Sequence, residues 1–388
     1  MSSVSSSSSV PSPRSNENDS YLHESGSSSS ASFRGTFELP PTMRHKEGRF
    51  RNARGQRLSY IALFPNQKSS KAPPQRLRGV FVFLHGIFEH SRRFFHLYER
   101  LCENGFCVLA YDLLSHGQSD CCEHKRRGHA RRFRYFVDDT NDFITFAKRS
   151  VLPEMLQDHH HNHQLQPEHL PMIMSGASFG SLVGIHTVLS CKHTFAAMAL
   201  APPTISLEWT PTLRLQSLLA APVSAIAPKF PLASATRYEH LCRDQAFVQD
   251  LINDPLVTKG NLTARMAKET LKACAALQDE PRIVGDANSS FCAMPVLFMM
   301  GSADQLTSVP QAVEYFERMK SRDKEFKVFP GLFHVLYDDP EKDEVFRHLI
   351  SWLQKRFPEP APEVTDWSGG SSSSFGGSNS ARVRIYNP

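Results

Sequence analysis

Six short apolar runs recur along the middle of this chain, and amphipathic stretches separate them. They are Val80–Leu84, Phe106–Tyr111, Met172–Met174, Phe195–Leu200, Val296–Met300 and Phe326–Phe329, the last interrupted only by Lys327. A strand that is apolar at successive positions needs both of its faces covered, because neighbouring side chains point to opposite sides. The stretches between the runs carry helical spacing. In 91–104, Phe94, Phe95, Leu97, Tyr98 and Leu101 repeat at that period behind Ser91, a helix N-cap residue type, and 136–147 also reads as helix. Strand–helix alternation with buried strands predicts an α/β class fold: a mostly parallel sheet with helices on both faces. The stretch from about Thr204 to Asn288 breaks the alternation. It reads as helical, with prolines at 211, 222, 228, 231 and 255, and lies between two strands of the inferred sheet, so it is expected to be an inserted helical cap.

Composition narrows the function classes. The 388 residues carry 44 Lys and Arg against 39 Asp and Glu, a net charge of +5, and are 40% hydrophobic. That is enough apolar material for a sizeable core, and the charge does not point to a nucleic-acid partner. No run approaches the roughly 18 apolar residues of a membrane-spanning helix. The eight cysteines match no zinc spacing. The start of the chain lacks the apolar segment of a secretory signal, and Glu17, Asp19 and Glu24 are unusual for an organelle-targeting peptide. A cytoplasmic location is expected, with peripheral membrane contact through the cap and organelle targeting left open. Serine dominates 1–40, and 358–388 is similarly poor in large apolar residues. Both are expected to be disordered tails.

The sharpest chemical signal is Gly176-Ala177-Ser178-Phe179-Gly180, directly after an apolar run and before the helical SLVGIHTVL. Glycines two residues either side of the serine permit the sharp strand-to-helix reversal that exposes a nucleophilic hydroxyl. Serine needs a base to act. His334 follows the last apolar run and Asp304 follows the one before it, so the chain order is Ser178, Asp304, His334. Ser178 would attack an acyl carbonyl, His334 would carry the proton, and Asp304 would orient the imidazole. Backbone N–H groups of Ile87 and Phe179 are the expected oxyanion donors. Asp323, Asp338 and Asp339 remain fallback acids, and His85 is expected to hold its turn.

These residues carry a resemblance. HGIFEHSRRF at 85–94 is similar to the HGxxEHSxRY segment of monoacylglycerol lipases and related lysophospholipases, and YDLLSHGQSD at 111–120 resembles their DxxGHGxS segment. FVDDTNDF at 136–143, the GASFGS elbow, the turn at 301–304, FPGLFH at 329–334 and DPLV at 254–257 follow in the same order, over roughly residues 45–355. The sequence departs from the pattern at Ile87-Phe88, where relatives carry a small Ala-Gly pair, at Ser115 and Ser181, where glycine is usual, and at Ala177. The resemblance implies an α/β-hydrolase fold, with core at 41–203 and 291–357 and cap at 204–290. It implies a serine hydrolase of apolar carboxylic esters, of monoacylglycerol or lysophospholipid type, working through an acyl-enzyme without cofactor or metal. A peptidase or acyltransferase on the same triad and a non-catalytic ligand-binding protein stay open; for a peptidase, Glu208 or Asp244 would hold the substrate amine. The cap residues Trp209, Leu213, Leu218, Leu219, Val223 and Ile226 read equally as a lid over an acyl chain or as core packing. The basic run at 124–134 reads as a solvated loop, with attraction of anionic lipid head groups as the alternative; the histidine-rich 158–169 reads as an insertion loop, with metal binding as the lesser alternative; and the pair Cys121-Cys122 is weak evidence of acylation.

Overall fold

The structure is a computed structural model that describes residues 43–66, 77–123, 126–157, 169–205, 207–234 and 237–359. Both expected tails, apart from 358 and 359, and nearly all of the histidine-rich run lie outside the described residues. The strands are β1 (Met43–Arg51), β2 (Arg57–Pro65), β3 (Gly79–Leu84), β4 (Phe106–Tyr111), β5 (Met172–Ser178), β6 (Ala197–Pro203), β7 (Pro231–Ser234), β8 (Asn261–Thr263), β9 (Val296–Gly301) and β10 (Lys324–Phe329). The helices are α1 (Phe95–Glu103), α2 (Arg134–Phe146), α3 (Leu152–Gln157), α4 (Phe179–Leu189), α5 (Pro211–Ile226), α6 (Gln245–Asn253), α7 (Ala264–Gln278), α8 (Ser290–Ala293), α9 (Val309–Arg318) and α10 (Lys342–Arg356).

Eight strands form one sheet in the order β1-β2-β4-β3-β5-β6-β9-β10. From β4 to β10 all neighbours are parallel, and β2 pairs antiparallel with both β1 and β4. This is the α/β-hydrolase arrangement. All six expected strands are present. The hairpin β1–β2 is additional, and it supplies the antiparallel edge.

The pleat sorts the apolar runs into two cores. Phe81 and Phe83 of β3 pack on one face with α1 and α10, through Leu97, Leu101, Leu349 and Trp352. Val80, Val82 and Leu84 face the other way, toward Phe143 of α2 and Leu182 of α4. Each such fully buried side chain contributes about 1.5–3 kcal/mol of transfer free energy. Burial on both faces is why the sequence pattern is continuous rather than alternating.

One local expectation is corrected. Ser91 does not cap a helix: 91–94 is a 3-10 turn, and α1 starts at Phe95. The buried carboxylate of Asp112, just past β4, accepts from Ser91 N at 2.8 Å and from the Ser91 hydroxyl. The serine ties two neighbouring strand exits together instead. Two of the departures from the resembled pattern, Phe88 at φ +69° and Ser115 at φ +66°, sit in left-handed backbone. Such strain costs about 1–3 kcal/mol at a residue with a side chain. Ser115 offsets it by donating to His129 O at 2.7 Å and accepting from Cys122 N at 2.8 Å.

Between β6 and β9 the chain leaves the sheet as α5, α6 and α7 with the two-stranded ribbon β7–β8. The ribbon is the only sheet structure among the described residues outside the main sheet. A buried ion pair fastens this insertion to the core. Arg93 reaches Asp254 at 2.8 Å and Asp250 at 3.1 Å, and His90 Nε2 meets the same Asp254 oxygen at 2.9 Å. No helix among the described residues is long and apolar enough to cross a membrane.

Candidate active site

Strand β5 ends in Ser178 itself, at φ +50° and ψ −121°, and α4 begins at the next residue. The reversal is tight because the two backbones nearly touch. A Cβ on Gly180 would lie 2.1 Å from Leu84 O and 2.6 Å from His85 O. Only backbone opposes it, so nothing can yield without moving β3. Gly180→Ala is therefore expected to cost about 3 kcal/mol, read as a lowered midpoint in chemical denaturation. Ser181, where glycine is usual, fastens the elbow: its hydroxyl donates to Ser178 O at 2.6 Å and accepts from Thr204 N at 2.7 Å.

Ser178 Oγ lies 3.0 Å from His334 Nε2, and His334 Nδ1 lies 2.9 Å from Asp304 Oδ2. The three side chains come from the ends of β5, β9 and β10, the rim where parallel sheets place ligands. Asp304 is held from its own turn. Oδ1 accepts from Leu306 N at 2.8 Å and Thr307 N at 3.0 Å, and Oδ2 accepts from the Thr307 hydroxyl. Burial opposes ionisation of Asp304, but the His334 imidazole and these donors outweigh it and hold the carboxyl below its usual range. Burial likewise disfavours protonated His334, yet the facing Asp304 carboxylate prevails and raises the imidazole above its ordinary 6.5. A base must be neutral to act, so kcat/KM should fall about tenfold per pH unit on the acid side. The inflection of a pH–rate profile is expected above 6.5.

The fallback acids are engaged elsewhere. Asp323 pairs with Arg356, and Asp338 lies 3.2 Å from His96. Asp339 accepts from Phe333 N at 2.7 Å and pairs with Arg243, so it shapes the loop that carries His334. His85 sits in its turn as expected. Nδ1 donates to Gly86 O at 2.7 Å and Nε2 accepts from Leu113 N at 2.9 Å. Burial holds it neutral, with a pKa of about 3. Asp244 is an N-cap for α6, accepting from Ala246 N at 2.9 Å, whereas Glu208 lines the cavity.

That cavity, of about 430 Å³, opens over Ser178 and His334. Ile87 and Phe179 stand on its wall. The rest is chiefly apolar and comes from the insertion: Leu213, Leu232, Leu251, Val257 and Leu262. Leu213 thus faces the site, while Leu218 and Ile226 on the same helix are 75% and 89% exposed. Glu89 was not anticipated. Its carboxylate lines the cavity and accepts from Gly86 N at 3.1 Å, and burial raises its pKa. A glutamate in a polar stretch reads as solvated, and only the fold shows that the turn wraps around it.

Comparison with known proteins places the chain in a family. The chain is 27% identical over 280 residues to the monoacylglycerol lipase of Mycolicibacterium smegmatis, covering 71% of this chain and 88% of the relative. It is 27% identical over 282 residues to the monoglyceride lipase of Homo sapiens, covering 71% and 82%. Among solved structures, a soluble variant of monoglyceride lipase from Saccharomyces cerevisiae in complex with a substrate analog superposes with a TM-score of 0.66 at 18% identity, covering 83% of this chain and 98% of that one. At that identity the likeness shows the shared fold. The serine aminopeptidase S33 family model matches residues 75–341. That span holds the elbow, the insertion and the turns bearing Asp304 and His334, and the chain belongs to the serine aminopeptidase S33 family.

Proposed function

We propose that this chain hydrolyses carboxylic esters of apolar acids, of the monoacylglycerol or lysophospholipid type, through an acyl-enzyme on Ser178. The observation that carries the reading is the hydrogen-bonded line from Ser178 through His334 to Asp304 at the floor of an apolar cavity. Several relatives in the family carry the name monoacylglycerol or monoglyceride lipase, which supports the substrate class.

Ser178 Oγ attacks the ester carbonyl while its proton passes to His334 Nε2. The imidazolium gives that proton to the departing alcohol oxygen. Asp304 fixes the Nδ1–H tautomer and stabilises the charge. The backbone N–H groups of Ile87 and Phe179 receive the carbonyl oxygen as it becomes anionic. Water then attacks the acyl carbonyl as His334 takes its proton, the bond from the acyl carbon to Ser178 Oγ breaks, and His334 returns the proton to Oγ as the acid leaves. The insertion at 204–290 serves as the cap, with Leu213 and Leu251 against the acyl chain. The opposite face of α5, with Leu215 and Leu218 exposed, meets the lipid surface that holds the substrate.

A lipid-ester panel on purified protein, with Ser178→Ala as the blank, tests this. Turnover is expected on monoacylglycerols and lysophospholipids. Glu208 on the cavity wall could hold a substrate amine, so aminoacyl anilides belong in the panel. Cleavage of anilides in preference to esters would replace this reading with a peptidase.

A further inference from the structure

A second cavity, of about 310 Å³, lies between the segment before α2 and the turn from α5 to β7. Its wall carries three guanidinium groups, Arg131, Arg132 and Arg265, against one carboxylate, Glu123. Glu123 is already neutralised: it accepts from Arg131 Nε at 2.9 Å and pairs with Lys229 at the rim. Arg126 reaches the same rim and donates to Lys229 O. Arg265 Nη2 donates to Ser224 O at 3.2 Å, but its Nε is buried and unpartnered. Arg132 is exposed and has no side-chain partner among the described residues. The cleft therefore presents a cationic surplus in forked, planar donors, the geometry that suits phosphate oxygens.

An apolar projection stands beside it. Ile226 is 89% and Phe230 53% exposed, in the turn that also supplies Pro228 to the cleft wall. Ala264 N donates to Phe230 O at 2.8 Å and Arg265 N donates to Pro228 O at 3.0 Å. These bonds join the projection to the helix turn that carries Arg265, so the two features move together. A soluble phosphate would use the cleft and leave the projection in water. A bilayer surface satisfies both, since basic and apolar groups side by side are the signature of interfacial binding.

We propose that the arginine cleft binds the phosphate of an anionic phospholipid headgroup, docking the cap on an anionic bilayer with Ile226 and Phe230 in its surface layer. The inference rests on the proposed function only in that a bilayer is where such ester substrates reside. It is tested by binding alone, so it can fail while hydrolysis stands.

The test is cosedimentation of the full-length Ser178→Ala protein with vesicles of phosphatidylcholine alone or mixed with phosphatidylglycerol. Binding to the mixed vesicles is expected to be at least about thirty-fold tighter, and Arg131→Gln/Arg132→Gln removes about that factor, from the usual contribution of each basic residue near an anionic surface. Binding to phosphatidylcholine should not change. An Arg49→Gln/Arg51→Gln control on β1 should keep the preference. Equal binding to the two vesicle types overturns the proposal. So does an unchanged cleft variant, or an equal loss in the β1 control. Displacement by inorganic phosphate at the concentration of the lipid phosphate would assign the cleft to a soluble anion and overturn the bilayer assignment.

Discussion

Ester turnover by the Ser178→Ala protein is expected to fall about 10⁶-fold in kcat, the scale seen when a serine nucleophile is removed from an intact triad. The substitution takes away one oxygen. Among the described residues its hydroxyl meets His334 Nε2, at 3.0 Å, so stability should change by no more than about 1 kcal/mol. The strained backbone at φ +50° suits alanine no better and no worse than serine. Loss of activity with an unchanged denaturation midpoint would separate chemistry from folding. Residual turnover within about tenfold of wild type, a shortfall of about five decades against the expected effect, would remove Ser178 from the mechanism.

Asp304→Asn is expected to lower kcat by about 10⁴-fold, and the structure dictates why. Oδ1 accepts two backbone N–H groups, from Leu306 and Thr307. The asparagine oxygen must occupy that position, because an amide NH₂ cannot accept. The NH₂ then falls where Oδ2 was, against His334 Nδ1. Nδ1 is forced to accept, and the ring proton moves to Nε2, facing Ser178. A protonated Nε2 cannot take the serine proton, which is the tautomer error that costs about four decades in serine hydrolases. Thr307 can still accept from the new NH₂, so the turn keeps its bonds. A wild-type denaturation midpoint with a four-decade loss supports this orientation. A loss below about tenfold would mean that Asp304 does not set the tautomer.

What the sequence revealed of the fold depended on burial. β3, β4 and β9 are apolar at nearly every position because both faces are covered, and they are visible as runs. β1 is an edge strand, mostly exposed, with MRHKEGRFR giving no such run. β2 is as buried as the central strands, but an antiparallel hairpin needs no crossover helix to mark it. β7 and β8 are too short to show a period. At the site, the elbow was legible because its chemistry is local. Asp304 and His334 were legible because they follow strand ends. Arg93 and Asp254 were not: they lie 161 residues apart, and their pairing exists only once the insertion folds back over the sheet. Glycine-like backbone at Phe88 and Ser115 was equally invisible. Those positions show in the sequence only as departures from a pattern, and the dihedral angles place each of them in the left-handed region that glycine favours.

The central claim is that Ser178 is made reactive by His334 and that this same hydroxyl turns over esters. Labelling with a fluorophosphonate, followed by peptide mass spectrometry, addresses it most directly. The account predicts one adduct, on Ser178, which is lost in Ser178→Ala, is strongly slowed in His334→Ala and is prevented by prior incubation with a monoacylglycerol. An adduct that forms at the wild-type rate in either variant, or that maps to another residue while esterase activity disappears, would contradict it.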